Sequence, residues 1–301
     1  MQRLTPGQRA RVTVPGSSAN LGPGFDSLGL AVDLCDTIEV EVIESGLEIE
    51  IHGEGADHLP KTAKHLVYRA LKLGFGAADV TAPGIRMVCH NQIPQSRGLG
   101  SSAAAAVGGV ALAGALADRE FTSAELIQLA SEFEGHPDNV SASVLGGAVV
   151  SWTDGSGDDA KYSAVSIPVH PNIQATAVVP NSHASTNAVR RVLPEMIPHV
   201  DARFNVARSS LMTVAISAHP ELLMPATEDR LHQEYRAEAL PVTTKWVSIF
   251  RDAGFPAFVS GAGPTCLALT TDTIPAELLD QARSENLRVL ELGIGGPVTV
   301  G

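Results

Sequence analysis

The sequence predicts a mixed α+β protein of two units, not a doubly wound parallel sheet. Segments with the period of a strand and segments with the period of a helix follow one another irregularly, without repeating strand–helix–strand units. The pattern also resets near residue 165, which divides the chain into expected units at 1–165 and 166–301. A chain of 301 residues, 44% of them hydrophobic, can bury a substantial core in two moderate units.

In the first unit, residues 11–14 form a strand and residues 15–29 a loop rich in Gly, Pro and small polar side chains. Residues 37–43 and 47–51 alternate apolar and polar positions, as half-buried strands do. Residues 64–75 put Leu66, Ala70 and Leu73 on one helical face. Ile85, Met87 and Cys89 alternate as another strand, which runs into a loop over 91–100. A helix then starts near Ser101, since serine caps well and the alanines behind it favour helix. Thr122 and Glu125 have capping-box spacing and open a second helix that buries Leu126, Leu129, Ala130 and Phe133. Residues 146–152 and 164–169 read as strands around a turn at 154–159. The second unit comprises a strand at 173–179, helices at 186–193 and 204–218, and a strand around Phe258. A strand at 266–270, a helix opened by Pro275 and a last strand at 287–292 complete it.

Composition removes several function classes. The formal charge is -12 and Lys and Arg form no cluster, so the basic footprint that nucleic-acid binding needs is missing. An anionic ligand would therefore need a local positive site. The three cysteines, Cys35, Cys89 and Cys266, show neither a disulfide framework nor metal spacing, which points to a reducing cytoplasm. No run of about 18 apolar residues predicts a membrane span, and the Ala/Gly-rich stretch at 103–117 reads as a buried helix. The ten histidines lack close ligand spacing, against a zinc enzyme. Asp154, Ser156 and Asp158 imitate the start of a calcium loop, but the twelfth position is Val165, so this is a hairpin turn.

Chemistry is concentrated in Pro94-Gln95-Ser96-Arg97-Gly98-Leu99-Gly100-Ser101-Ser102-Ala103-Ala104. Gly98 and Gly100 permit a positive φ and close approach of backbone to ligand. The helix behind them offers free N–H groups and a positive dipole end, which together cradle phosphate. Ser101 and Ser102 add hydroxyls for phosphate oxygens or a metal ion. No Walker-type lysine follows the serines, so the usual P-loop is excluded. Two further glycine-rich strings accompany this one, at 15–29 and at Ser260-Gly261-Ala262-Gly263-Pro264-Thr265.

In this order the three strings resemble the signatures of the GHMP kinases (galactokinase, homoserine kinase, mevalonate kinase, phosphomevalonate kinase), and the resemblance covers nearly the whole chain. It implies a ribosomal-S5-like N-terminal half and a ferredoxin-like C-terminal half, with ATP and substrate between them. Residues 94–104 would bind ATP, and Ser102 and Glu134 would hold Mg2+. One carboxylate and one hydroxyl suffice for magnesium, which keeps waters and phosphate oxygens as its other ligands.

The string from Ser17 to Gly29 is similar to that of the homoserine-kinase branch, whereas galactokinases carry a GRVN-type motif and mevalonate kinases a GE-containing one. The resemblance implies phosphorylation of the side-chain hydroxyl of L-homoserine to O-phospho-L-homoserine, on the way to threonine. Asn20 and Asp26 supply an amide and a carboxylate suited to a hydroxyl and an ammonium. Asp26 and Asn139 would hold the nucleophile, and His136, Asn139 and Gly261 would line the amino-acid pocket. Thr186, Arg190 and Arg236 would meet the substrate carboxylate, a task that suits the planar fork of arginine. Two arginines would also supply the local positive charge that a -12 chain needs. A kinase for mevalonate derivatives or sugars, and a sensor of the same fold without turnover, remain alternatives. The intact serine, glutamate and glycine positions argue against the sensor. The resemblance also allows a homodimer.

Overall fold

The computed structural model describes residues 1–181 and 189–301. Its frame is an antiparallel pair of long strands, β2 (Arg9–Ala19) and β3 (Leu28–Ile43). The short β1 (Gln2–Arg3) pairs in parallel with β5 (Val80–Thr81), apart from the main sheets. Along β2, Ala10, Val12 and Val14 are buried while Arg9 and Arg11 are exposed, the alternation of a sheet with one wet face. At Pro15 and Gly16 the register shifts, and the strand continues through Ser17, Ser18 and Ala19, all buried. Residues 15–19, expected as loop, are therefore strand, and only the segment after Ala19 turns.

β3 also pairs with β6 (Gly84–Asn91) at its far half and with β7 (Ala148–Asp154) at its near end. β4 (Gly46–Gly53) adds to β6 in parallel, and β8 (Lys161–Ile167) adds to β7. Helices α1 (Leu66–Ala77), α2 (Ser101–Leu116), α3 (Ser123–Glu134) and α4 (Asp138–Leu145) belong to this unit. α2 is buried almost all round, as its run of Ala, Gly, Val and Leu requires. A Cβ at Gly108 would lie 2.7 Å from Ile38 in the sheet, and one at Gly109 would lie 2.5 Å from the Val67 carbonyl of α1. These two glycines let α2 sit tightly between sheet and helix, and that seating fixes where its N-terminus points.

The second unit is a four-stranded antiparallel sheet in the order β10 (Ala257–Val259), β11 (Cys266–Thr270), β9 (Gln174–Val179), β12 (Arg288–Leu292). Between β9 and β10 lie α5 (His199–Ser217), α6 (Leu223–Ala226), α7 (Gln233–Arg236) and α8 (Pro241–Asp252), and between β11 and β12 lies α9 (Ala276–Ser284). This is the βαββαβ arrangement of ferredoxin-like units. α8 buries Trp246 and Phe250 against Ala257, Cys266 and Ala268. The last strand, β13 (Thr299–Val300), returns to pair with β2. Among the described residues, no helix is long and apolar enough to cross a membrane.

Several expected boundaries move. Gly100, not Ser101, is the residue that caps α2. Of the helix expected over 186–193, residues 186–188 lie outside the described residues, and the helical part ends at Arg190. α4, α8 and β13 were not expected.

Candidate active site

The three glycine-rich strings meet. Ser260 Oγ donates to the Gly98 carbonyl at 2.5 Å and lies 2.8 Å from Ser18 Oγ. Gly261 N donates to the Ala19 carbonyl at 3.1 Å, Ser17 N to Leu99 O at 3.0 Å, and Thr265 N to Arg97 O at 3.2 Å. The glycines are what let these backbones touch. Gly98 and Gly100 have φ of +79° and +70°. A Cβ on Gly98 would lie 2.3 Å from the Ser260 carbonyl, and one on Gly100 would lie 2.2 Å from Ser17 Oγ. Their first duty is thus close approach of chain to chain, which shapes the loop before any ligand arrives.

The loops enclose a cleft of about 160 Å3. Asn20, Asp26, Gln95, Ser96, Arg97, Gly98, Gly100, Ser101, Ser102, Glu134, His136, Asn139, Arg190, Arg236 and Gly261 all line it. Pro94, Leu99, Ala103 and Ala104 are buried and support the loop from behind. Thr186 lies outside the described residues. No side chain caps the first turn of α2, where Ser101 and Ser102 face the cleft. Non-glycine residues in the left-handed region gather here: Asn20 at 71°, Leu21 at 45°, Asp26 at 54° and Ser96 at 54°. Such conformations persist where the surroundings over-determine them, and they are enriched at functional sites.

Charge in the cleft is arranged around Asp26. Arg190 donates to it through both terminal nitrogens, at 3.0 and 2.5 Å, with each side chain about one-third exposed (34% and 32%). Burial works against the charge of Arg190, but the bonds to Asp26 more than compensate and raise its pKa. Arg236 is fully buried. Its Nη1 donates to the Gly261 carbonyl at 3.0 Å and lies 3.1 Å from His232 Nδ1, while its Nε has no partner among the described residues. Burial, and then the charge of Arg190, lower its pKa to about 10. Asn20 spends its amide on structure, taking the Asp26 N–H at 3.0 Å and donating to the Gly261 carbonyl at 2.9 Å. It holds Asp26 and the third loop in place, beyond the ligand contact expected of it. Asn139 lies in the first turn of α4, and its Oδ1 accepts from Ser17 Oγ at 2.9 Å, so its amide N–H2 is the end left for a ligand. His136 Nδ1 donates to the buried Asp138 at 2.7 Å. Burial opposes protonation of His136, but the bond to Asp138 and the charges of Asp138 and Asp26 raise its pKa.

Comparison with known proteins fits this geometry. The family profile for the GHMP kinases N terminal domain matches residues 64–147, and that for the GHMP kinases C terminal matches residues 215–288. The homoserine kinase of Corynebacterium glutamicum (strain R) is 58% identical over 300 residues, covering 99% of this chain and 97% of its own. The chain belongs to the GHMP kinase family. The homoserine kinase of Corynebacterium urealyticum is 59% identical over 296 residues, covering 98% of this chain and 97% of its own. Among solved structures, homoserine kinase from Cytophaga hutchinsonii superposes with a TM-score of 0.83 at 25% identity, over 97% of each chain.

Behind the cleft of this GHMP kinase lies a polar layer that sequence reasoning missed. His232 Nε2–H donates to the Gly22 carbonyl at 2.7 Å, so the Nδ1 facing Arg236 is an acceptor and the ring is neutral. Burial, with the nearby charge of Arg236, keeps the His232 pKa low. Asp229 takes four N–H groups, from Asn205, Leu231, His232 and Gln233, at 2.8–3.0 Å. Asn205 in turn donates to the Pro23 carbonyl at 3.1 Å. Isolated polar residues between helices give no sequence signal of this kind. A larger groove of about 760 Å3 runs past Phe204, Arg208, Arg230 and Arg251, but its arginines are already paired with Glu228, Asp201 and backbone carbonyls.

Proposed function

We propose that this kinase transfers the γ-phosphoryl group of ATP to the side-chain hydroxyl of L-homoserine, giving O-phospho-L-homoserine and ADP. The observation that carries the reading is the Asp26–Arg190 pair with Arg236 in the same cleft as the uncapped start of α2. An amino-acid zwitterion carries the complementary charges, its carboxylate for the arginines and its ammonium for Asp26. An ion pair exposed to this degree contributes about 1 kcal/mol or less, so a substrate can exchange it for two new pairs at small cost. Near-full-length identity to homoserine kinases supports homoserine among the hydroxylated amino acids.

Residues 94–104 are the proposed ATP-phosphate cradle, through backbone N–H groups at the start of α2. Bound magnesium would neutralise charge on the transferred group. Ser102 and Glu134 fit it, being hard oxygen donors at the lip of this cleft. The cluster of Asp26, His136 and Asp138 fits it poorly, because it includes an imidazole and all three side chains already bond within the protein. Asp26 would orient the substrate ammonium, and the Asn139 amide would donate to the acceptor or phosphate oxygen. Phosphoryl transfer draws its acceleration mainly from alignment and charge neutralisation, so no strong base is assigned. ADP release assayed with homoserine, mevalonate and galactose side by side tests the reading. Turnover is expected with homoserine, and a preference for either other acceptor would reject it.

A further inference from the structure

We infer that Phe25 sets the affinity of the carboxylate half of this site, by holding both arginines at the ring of one phenyl side chain. The inference rests on the homoserine reading above. The Cζ atoms of Arg190 and Arg236 each lie 5.5 Å from the Phe25 ring centroid, and the His232 ring lies 5.2 Å from it. Two guanidinium groups converging on one ring repel each other, and a carboxylate-binding fork must keep them converged before the carboxylate arrives. Arg190 has Asp26 as its counter-charge. Among the described residues Arg236 has none in direct contact: its hydrogen-bond partners there are a neutral imidazole and a carbonyl. Asp26 and Asp229 attract it from beyond hydrogen-bond reach. The negative face of the Phe25 ring is the attraction close to the guanidinium itself, and it is strongest where water is excluded, as around the buried Arg236. If substrate ammonium draws Asp26 away from Arg190, the ring becomes the shared protein support of both cations. The signal was in the sequence, since Phe25 sits in the first glycine-rich string beside Asp26, but nothing there placed two arginines on it.

Phe25→Leu removes the ring face while keeping an apolar side chain, Phe25→Met is a second non-aromatic variant should the first fold poorly, and Phe25→Tyr restores the ring. The non-aromatic variants should raise KM for homoserine about tenfold, from the loss of two cation–π contacts. Their KM for ATP and their kcat should stay within about twofold of wild type, and Phe25→Tyr should return KM toward the wild-type value. The carboxylate-free 3-amino-1-propanol should be turned over equally poorly by all forms. An unchanged KM for homoserine in the non-aromatic variants overturns the inference. So does an equal loss against homoserine, ATP and aminopropanol, which would mark a merely structural ring. A wild-type enzyme that turns over no homoserine would sink the substrate reading itself, and this role with it.

Discussion

Arg190 and Arg236 differ in exposure, and removing them should have different consequences. Breaking a charged, hydrogen-bonded pair in a closed site costs about 2–5 kcal/mol, and about 1.4 kcal/mol is tenfold in rate. Arg190→Ala should therefore lower kcat/KM for homoserine roughly 30-fold or more, with KM for ATP and the melting temperature little changed. Arg236→Ala should do the same and also lower the melting temperature, because it leaves His232 Nδ1 buried without its donor and the Gly261 carbonyl with Asn20 alone. Steady-state kinetics and thermal melts of the two variants check this, and normal turnover in both would remove the arginines from the site. Glu134→Gln keeps shape without charge and should raise the Mg2+ requirement, which a magnesium titration reads. Asp36 was invisible as a functional residue, yet its Oδ1 takes the N–H groups of Gln92 and Ile93 at 2.7 and 2.9 Å, just ahead of Pro94. Burial raises its pKa from 3.8 to about 6 despite those bonds, with a smaller push from Glu54. A raised folded-state pKa means that its stabilising proton is present below the unfolded value and lost as pH rises toward 6. Asp36→Asn keeps an acceptor without a charge. Its stability relative to wild type should therefore grow between pH 4 and 7, by about 1–3 kcal/mol. Denaturant melts at both pH values measure this, and a pH-independent difference would contradict it. At this scale the sequence revealed residue types suited to charge and phosphate. It could not reveal that Asn20 is spent on Asp26 and Gly261, a partner 241 positions away.

The second string works as an element because its glycines fit against the other two. Gly98→Ala would drive a methyl into the Ser260 carbonyl, and φ of +79° is strained for alanine. Strain plus overpacking costs about 1–3 kcal/mol, so ATP affinity should fall about tenfold or more by calorimetry while the fold persists. Unchanged affinity would place the nucleotide elsewhere. Gly100→Val meets Ser17 Oγ, the atom that holds Asn139, so it should harm both nucleotide and acceptor binding. Element signals were legible where local chemistry decides structure. Thr122 and Glu125 form the expected capping box, and β11 runs over the expected residues. They failed where tertiary packing decides. β2 continues through a glycine-rich string because the neighbouring β3 pairs with it, and α4 begins directly after the Gly135–Pro137 break.

Across the whole molecule, the cleft depends on contacts between the two units. Arg97 reaches from the second string to the Pro180 and Asn181 carbonyls at 2.9 and 2.7 Å, and Arg288 bonds Glu54 at 2.7 Å. With β13 returning to β2, these ties hold the third string against the first two. The three strings and their order were plain in the sequence, but their convergence was implied by resemblance alone, since no local pattern encodes contacts between residues so far apart. The central claim is that the cleft joins an ATP-phosphate cradle to an amino-acid acceptor site. Phosphorus NMR of the wild-type protein with ATP, Mg2+ and L-homoserine tests it most directly. The account predicts a phosphomonoester resonance coupled to methylene protons, growing one-for-one with ADP and absent without homoserine. ADP accompanied by inorganic phosphate alone, or no ADP at all with homoserine present, would contradict it.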